Sequence, residues 1–285
     1  MDEGGTSAAR ADAGGADRSR DERPDGAAGP AGRPVFTGVG VAVVTIFDRA
    51  GEADPAATAA HAADLVGRGM RAVLVAGTTG EADTLTGPER VRLIGAVRAA
   101  VPAAIPVLAG TGAATPEAAA ELTAAATGAG ADAVLAYPPP GSADLPGFFA
   151  AVAATAGGRP VLAYHVPWIS APGVPTGELP GLPVAGIKDS SGSADRLLDE
   201  LAHYAGPTYV GSSALLALAG PMGGAGAILA LANIEPEGCC RAFAGDAAAQ
   251  RDLADVHLEV RAGGPAALKR ILSARAGYCD LSRVQ

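Results

Sequence analysis

From Val35 onward, short runs of apolar and β-branched residues alternate with longer Ala-rich stretches. The short runs are hydrophobic throughout instead of every second position, the pattern of parallel strands buried on both faces. Eight runs predict strands: Val39–Phe47, Ala72–Ala76, Ile105–Ala109, Ala133–Tyr137, Pro160–Tyr164, Val184–Lys188, Tyr209–Ser212 and Ala227–Leu231. Helix starts fall between them. Asp54-Pro55 and Thr115-Pro116-Glu117 each set a capping side chain before a proline at the first helical position. Thr86-x-x-Glu89 forms a capping box. Ala171–Pro183 carries four prolines and three glycines, so the fifth connection has room only for a short helix. Past Leu231 the strand signal stops, and helices are predicted around Pro236–Phe243, Ala247–Ala262 and Pro265–Ala276. Eight β/α alternations predict a (β/α)8 TIM barrel over residues 35–235, with a C-terminal helical appendage over 236–285. A doubly wound open sheet is the competing arrangement.

Residues 1–34 break the pattern. Between Asp2 and Pro34 there is no Val, Ile, Leu, Phe, Tyr or Trp. Such a segment cannot bury enough apolar surface to offset its ordering entropy, which predicts a disordered tail or an arm ordered only against a partner subunit. The remaining composition narrows the function. Hydrophobic residues make up 49% of the chain and aromatics 4%, so the core is built of Ala, Val and Leu. The net charge of −9 argues against nucleic acid and against an anionic membrane surface, because both need a basic field. Cys239, Cys240 and Cys279 form no disulfide framework, which fits a reducing, cytoplasmic setting. The four histidines show no metal-ligand spacing, so no metal is expected. No apolar run reaches the ~18 residues of a membrane span, and the N-terminus lacks a basic-then-apolar leader pattern.

In a barrel of this kind the site lies at the C-terminal ends of the strands, so the residues that end each strand carry the chemistry. The sixth run ends at Lys188, in Val184-Ala185-Gly186-Ile187-Lys188-Asp189-Ser190-Ser191-Gly192. Only two of the 21 basic Lys and Arg residues are lysines, the other being Lys269. Burial favours the neutral form of an amine, and a neutral amine at a strand end is the nucleophile that imine-forming enzymes use. The fifth run ends at Tyr164-His165-Val166-Pro167, and the second runs into Gly77-Thr78-Thr79-Gly80-Glu81. Two glycines let backbone N–H groups and hydroxyls converge into a nest for a carboxylate. A tyrosine beside an imine-forming lysine can move protons on the carbinolamine. Each motif alone also reads as ordinary structure: a polar turn, or a core tyrosine with a satisfied hydroxyl.

The same residues carry a family resemblance. Gly77–Glu81 followed by Thr84-Leu85, Tyr164-x-Val166-Pro167 and Gly186-Ile187-Lys188-Asp189 stand in the order and spacing of the dihydrodipicolinate synthase / N-acetylneuraminate lyase family. The resemblance covers roughly residues 36–280. It implies a class I aldolase or lyase, homotetrameric or dimeric, that needs no cofactor because a lysine imine supplies the electron sink. Lys188 resembles the lysine that forms a Schiff base with pyruvate or another 2-oxo acid. Tyr164 matches the proton-relay tyrosine, with Thr78 linked to it. Gly77, Thr78 and Thr79 match the turn that holds the 2-oxo acid's carboxylate. Gly211 and Asn233, which follows Ala232, resemble further family positions near the site, and Thr45, near which the first run ends, is a further substrate-binding candidate.

The departures from the family bear on the second substrate. Dihydrodipicolinate synthases carry an arginine two residues after the Tyr-Asn-Val-Pro segment, where it binds the aldehyde partner's carboxylate. Here Ile169 stands there, beside Trp168. An isoleucine makes no bidentate pair with a carboxylate, a loss of several kcal/mol on the scale of charged hydrogen bonds. The family's Pro-Tyr-Tyr after the fourth strand reads Tyr137-Pro138-Pro139-Pro140-Gly141, so either Gly141 or Tyr137 falls where the second relay tyrosine belongs. Three readings follow: an aldolase or lyase joining a 2-oxo acid to an aldehyde less acidic or bulkier than aspartate semialdehyde; dihydrodipicolinate synthase proper, with the missing arginine supplied from elsewhere; or a degenerate paralogue that binds a small acid without turnover. Lesser candidates are a glycine-rich phosphate cradle at Gly220–Gly226, a substrate contact or structural bond at His165, an apolar wall at Trp168, and helix packing at Cys239-Cys240.

Overall fold

The computed structural model describes Met1 and residues 32–284, so most of the expected N-terminal tail lies outside the described residues. Eight strands form the closed barrel: β1 (Gly38–Ala42), β2 (Val73–Val75), β3 (Val107–Gly110), β4 (Ala133–Ala136), β5 (Val161–His165), β6 (Gly186–Asp189), β7 (Thr208–Val210) and β8 (Gly226–Leu229). All neighbours are parallel, and β1 pairs with β8 to close the ring. The competing open sheet is thereby excluded.

The connections are α1 (Pro55–Gly67), α2 (Gly87–Ala100), α3 (Pro116–Gly128), α4 (Leu145–Thr155), α5 (Ala194–His203) and α6 (Leu216–Ala219). The expected caps are in place. Asp54 and Thr115 accept from Ala57 N and Ala118 N at 2.9 and 3.2 Å, and Thr86 and Glu89 exchange both capping-box bonds. The Pro-rich fifth connection holds only the 3-10 turn Thr176–Gly181. After β8 come α7 (Pro236–Phe243), α8 (Ala247–Asp252) and α9 (Ala254–Ala276). The long helix predicted over Ala247–Ala262 is broken at Leu253. The break expected before Pro265 is a kink at Gly264 (φ 56°, ψ −146°) within α9.

Most strands are shorter than the apolar runs that predict them. β1 leaves the ladder after Ala42, yet Val43, Val44, Ile46 and Phe47 stay buried. Burial continues past the last ladder bond because these residues still face the core. β7 and β8 stop at Val210 and Leu229, the latter running into a 3-10 turn at Leu231–Asn233.

Strand alternation splits the apolar side chains into two cores. One lies between barrel and helices and includes Cys239, Leu253, Leu268 and Leu272 from α7–α9, so the C-terminal helices share the barrel's outer core. The other fills the barrel with Phe36, Leu74, Leu108, Leu135, Leu162, Tyr164, Tyr209 and Ile228 among others. Tyr209 floors it, its hydroxyl donating to Phe36 O at 2.9 Å and its ring 4.8 Å from that of Phe36.

Candidate active site

The parity that sends Leu162 and Tyr164 inward from β5 sends Gly186 and Lys188 inward from β6, since the pairs Leu162↔Gly186 and Tyr164↔Lys188 are in register. Lys188 is buried, and its Nζ lies 4.4 Å from the centroid of the Tyr164 ring. Tyr209 is its register partner on β7 and closes the barrel below it. Ser190 Oγ donates to Tyr164 Oη at 3.3 Å, so the phenol is held from the strand that carries the lysine.

Above these residues opens a cavity of about 490 Å³, lined by Lys188, Tyr164, Thr78, Thr79, Gly211 and the serines of the loops after β6 and β7. Thr78 and Thr79 lie in a 3-10 turn, Thr78–Gly80, flanked by two non-glycine residues in the left-handed region: Ala76 (φ 50°) and Glu81 (φ 56°). Left-handed backbone costs an L-residue about 1–2 kcal/mol, so the turn must be held from outside. Part of that hold is Thr45, whose hydroxyl donates to Gly80 O at 2.7 Å. The rest comes from Glu81, whose buried carboxylate is clasped by the C-terminal segment. Ser282 Oγ and the backbone N–H groups of Arg283 and Val284 donate to Oε2 at 2.9, 2.7 and 2.9 Å, and Lys269 forms an ion pair with Oε1.

Gly211 is required by close approach. A Cβ there would stand 2.0 Å from Ser190 Oγ and 3.0 Å from Lys188 Cε. On the outer side of β6, Asp189 accepts from Ser191 N and Ser191 Oγ at 2.7 and 2.9 Å and fixes the loop that lines the cavity. Behind it, Arg196 Nη2 lies 2.9 Å from the buried Glu200 Oε1 without a well-formed hydrogen bond. Burial, reinforced by the charge of Asp189, pushes the Glu200 carboxyl up to about 8.

The expected site residues divide. Lys188, Tyr164, Thr78, Thr79 and Gly211 line the main cavity. Gly77 and Ile169 line instead a smaller cavity of about 140 Å³, which shares Thr78 and Tyr164 with the larger one. Thr45 and Asn233 line neither. Thr45 sits past the end of β1, where strand parity no longer aims it inward, and buttresses the turn. Asn233 ties down the end of β1, donating to Ala42 O at 2.8 Å and accepting from Val44 N at 3.1 Å. The sequence puts both against substrate, whereas their positions lie outside the linings of both cavities.

Tyr137, rather than Gly141, stands beside Tyr164, with ring centroids 6.2 Å apart in the smaller cavity. His165 faces outward and accepts from Val174 N at 3.1 Å, the structural bond of the two alternatives. Trp168 is 63% exposed on the rim of the main cavity, and Ile169 is not beside it there. The Gly220–Gly226 segment lines neither cavity, and Cys239 is buried in α7. No helix is long and apolar enough to cross a membrane among the described residues.

Unforeseen from the sequence were His257, Val260 and Arg261, which α9 brings to the main cavity together with Gly264 and Leu268. Their spacing of three, four, seven and eleven from His257 is a single helix face, a signal the Ala-rich text of this region obscured.

Residues 35–261 match the model of the dihydrodipicolinate synthetase family. A 4-hydroxy-tetrahydrodipicolinate synthase of Corynebacterium aurimucosum is 32% identical over 191 residues, and this chain spans 62% of that relative's length. One from Salinibacter ruber is 33% identical over 221 residues, covering 74% of this chain and 73% of the relative. The crystal structure of a dihydrodipicolinate synthase from Acinetobacter baumannii complexed with pyruvate superimposes with a TM-score of 0.80 at 26% identity, covering 88% of this chain and 92% of that one. A prophage protein of E. coli K12 in complex with pyruvate does so with a TM-score of 0.79 at 25% identity, covering 87% and 92%. With its closed parallel barrel and its matched span of residues 35–261, the chain belongs to the dihydrodipicolinate synthetase family.

Proposed function

We propose that this chain is a Schiff-base lyase that makes or breaks a carbon–carbon bond of a pyruvate-type 2-oxo acid with an aldehyde partner. One observation carries the reading most: the only lysine at a strand's inner end stands in register with a tyrosine inside a cavity walled by the Thr78–Gly80 turn. The Lys188 amine adds to the C2 carbonyl, and loss of water from the carbinolamine gives an iminium. That iminium withdraws electrons from C3, so a C3 proton departs and an enamine forms. The enamine carbon bonds to the aldehyde carbon, whose oxygen takes a proton. Water then hydrolyses the iminium and returns the amine. Tyr164 moves the protons, and the hydroxyls and N–H groups at Thr78 and Thr79 hold the carboxylate. The covalent imine is the electron sink, so the reading calls for no cofactor.

The second reading, 4-hydroxy-tetrahydrodipicolinate synthase proper, is favoured by the names of the relatives and opposed by Ile169. Family membership also supports a cytoplasmic homo-oligomer, a tetramer or dimer, which size-exclusion chromatography with light scattering tests. The chemistry is tested by incubating the protein with pyruvate, reducing with borohydride and weighing its peptides. A reduced pyruvate adduct on the Lys188 peptide is expected, and its loss in Lys188→Arg. Absence of any adduct in the wild type would rule out both catalytic readings and leave the binding-only paralogue. Slow or absent turnover with aspartate semialdehyde is expected; brisk turnover favours the second reading.

A further inference from the structure

We propose that α9 completes the site, with Arg261 and His257 forming the subsite for an anionic group on the far end of the aldehyde substrate. The inference rests on the Schiff-base reading and names the class of its second substrate. Four observations support it. First, the main cavity does not end at Lys188 but continues to α9, and Arg261 is the one cation besides Lys188 among its arginine and lysine lining. Second, Arg261 is an exposed residue at the cavity's edge, and no carboxylate among the described residues pairs with it, so its guanidinium is open to an anion entering the cavity. Third, Ser213 Oγ and His257 Nδ1 lie 2.7 Å apart, which fixes the imidazole against the loop after β7 and leaves Nε2 without a partner among the described residues. Fourth, the kink at Gly264 and Pro265 lies in the cavity lining, so the bend that divides α9 sets the angle at which its first half meets the barrel.

Size and charge agree. A cavity of about 490 Å³ is of the scale that encloses a drug-sized ligand, more than a three-carbon acid and a four-carbon aldehyde require. Ile169, at the place of the family's carboxylate-reading arginine, faces the smaller cavity. Arg90 lines that smaller cavity too, its guanidinium donating to the carbonyls of Ala82 and Gly110, whereas Arg261 borders the main cavity that holds Lys188. Serines of the loops after β6 and β7 line the path between Lys188 and Arg261, offering hydrogen bonds to a hydroxylated chain. The substrate class is therefore an aldehyde longer than aspartate semialdehyde, with a terminal carboxylate or phosphate.

The test compares glyceraldehyde 3-phosphate, succinate semialdehyde and neutral glyceraldehyde as partners for pyruvate, in wild type, Arg261→Ala and Arg261→Lys. The wild type should prefer the charged aldehydes in kcat/KM, and the better of the two distinguishes phosphate from carboxylate. In Arg261→Ala that preference should fall about 10–100-fold, mainly through KM, as loss of a charge-assisted hydrogen bond does. Arg261→Lys should recover part of it. Thermal shifts with inorganic phosphate and with glutarate read the subsite without catalysis, and are expected in the wild type and lost in Arg261→Ala. An aldehyde preference and thermal shifts that are unchanged by Arg261→Ala overturn the proposal even where the pyruvate adduct forms. An absent adduct with Arg261-dependent anion binding overturns the Schiff-base reading and leaves the anion subsite standing.

Discussion

Tyr164 and Lys188 are register partners on adjacent parallel strands, and the lysine's Nζ lies 4.4 Å from the centre of the tyrosine ring. The contact is with the face of the ring, so the phenolic oxygen stays clear of the amine and is met by Ser190 Oγ. An oxygen so placed serves a substrate atom bonded to Nζ better than it serves Nζ itself. Tyr164→Phe keeps the ring and its packing and removes only the proton carrier. Turnover is expected to fall about 10²–10⁴-fold, the range of general acid–base catalysis, while borohydride still traps the pyruvate adduct in the variant after long incubation. Turnover within threefold of wild type in steady-state assays would exclude the relay role.

Gly211→Ala tests the closeness of the loop after β7 to the lysine. The added Cβ would overlap Ser190 Oγ at 2.0 Å and press on Lys188 Cε at 3.0 Å. Ser190 can rotate away only by giving up Tyr164, so the substitution disturbs both the relay and the nucleophile. Overpacking costs typically about 1–3 kcal/mol. A melting temperature lowered by several degrees and a slower rate of pyruvate trapping are expected together, with partial rescue by Ser190→Gly. Unaltered trapping kinetics would show that the loop yields without cost.

Glu81→Gln tests whether the C-terminal clasp holds the carboxylate turn. The substitution leaves Lys269 buried without a counter-charge, although burial already pushes that amine below its ordinary range. Removing one partner of a buried pair costs about 3–5 kcal/mol. Lys269→Met in the same background should restore part of the loss, a coupling that a thermodynamic cycle on denaturant midpoints reads directly. KM for pyruvate is expected to rise in Glu81→Gln, because the turn carrying Thr78 and Thr79 loses its anchor. Equal destabilisation in single and double variants would exclude the pairing.

The contribution of Glu200 to stability should decline between about pH 4.5 and 8, against the opposite trend from His61, His165 and His257, whose neutral forms burial favours. The folded state holds the Glu200 carboxyl up at about 8, whereas an unfolded chain releases that proton near 4.5. Between these values the Glu200 site binds more proton in the folded than in the unfolded state, so its contribution falls as pH rises, by at most about 1.4 kcal/mol per pH unit for one proton. Below 4.5 both states are protonated and this contribution is at its full value. Glu200→Gln mimics the protonated form and should flatten the slope in chemical denaturation series across that window. An unchanged slope would assign the pH dependence to another group.

The rhythm of apolar runs pointed to the barrel while leaving an open sheet in contention, and the residues ending the runs marked Lys188, Tyr164 and the Gly77–Glu81 turn as candidates. These are local properties: periodicity, caps and a polar residue at the end of a buried strand act over a few positions. What the runs overstate is strand length, because burial continues after the ladder stops, as at Val43–Phe47. Thr45 falls within that overstated length, past the last ladder residue of β1. The facing of Thr45 and Asn233, the neighbour of Tyr137, the clasp on Glu81 and the position of Arg261 were decided only by tertiary structure. Each depends on groups far apart in the chain: Glu81 and Arg283 meet across 202 positions, and Val44 and Asn233 across 189. No local pattern encodes such pairings; Val44 meets Asn233 because β8 closes on β1, and Glu81 meets Arg283 because α9 carries the chain back to the Thr78–Gly80 turn.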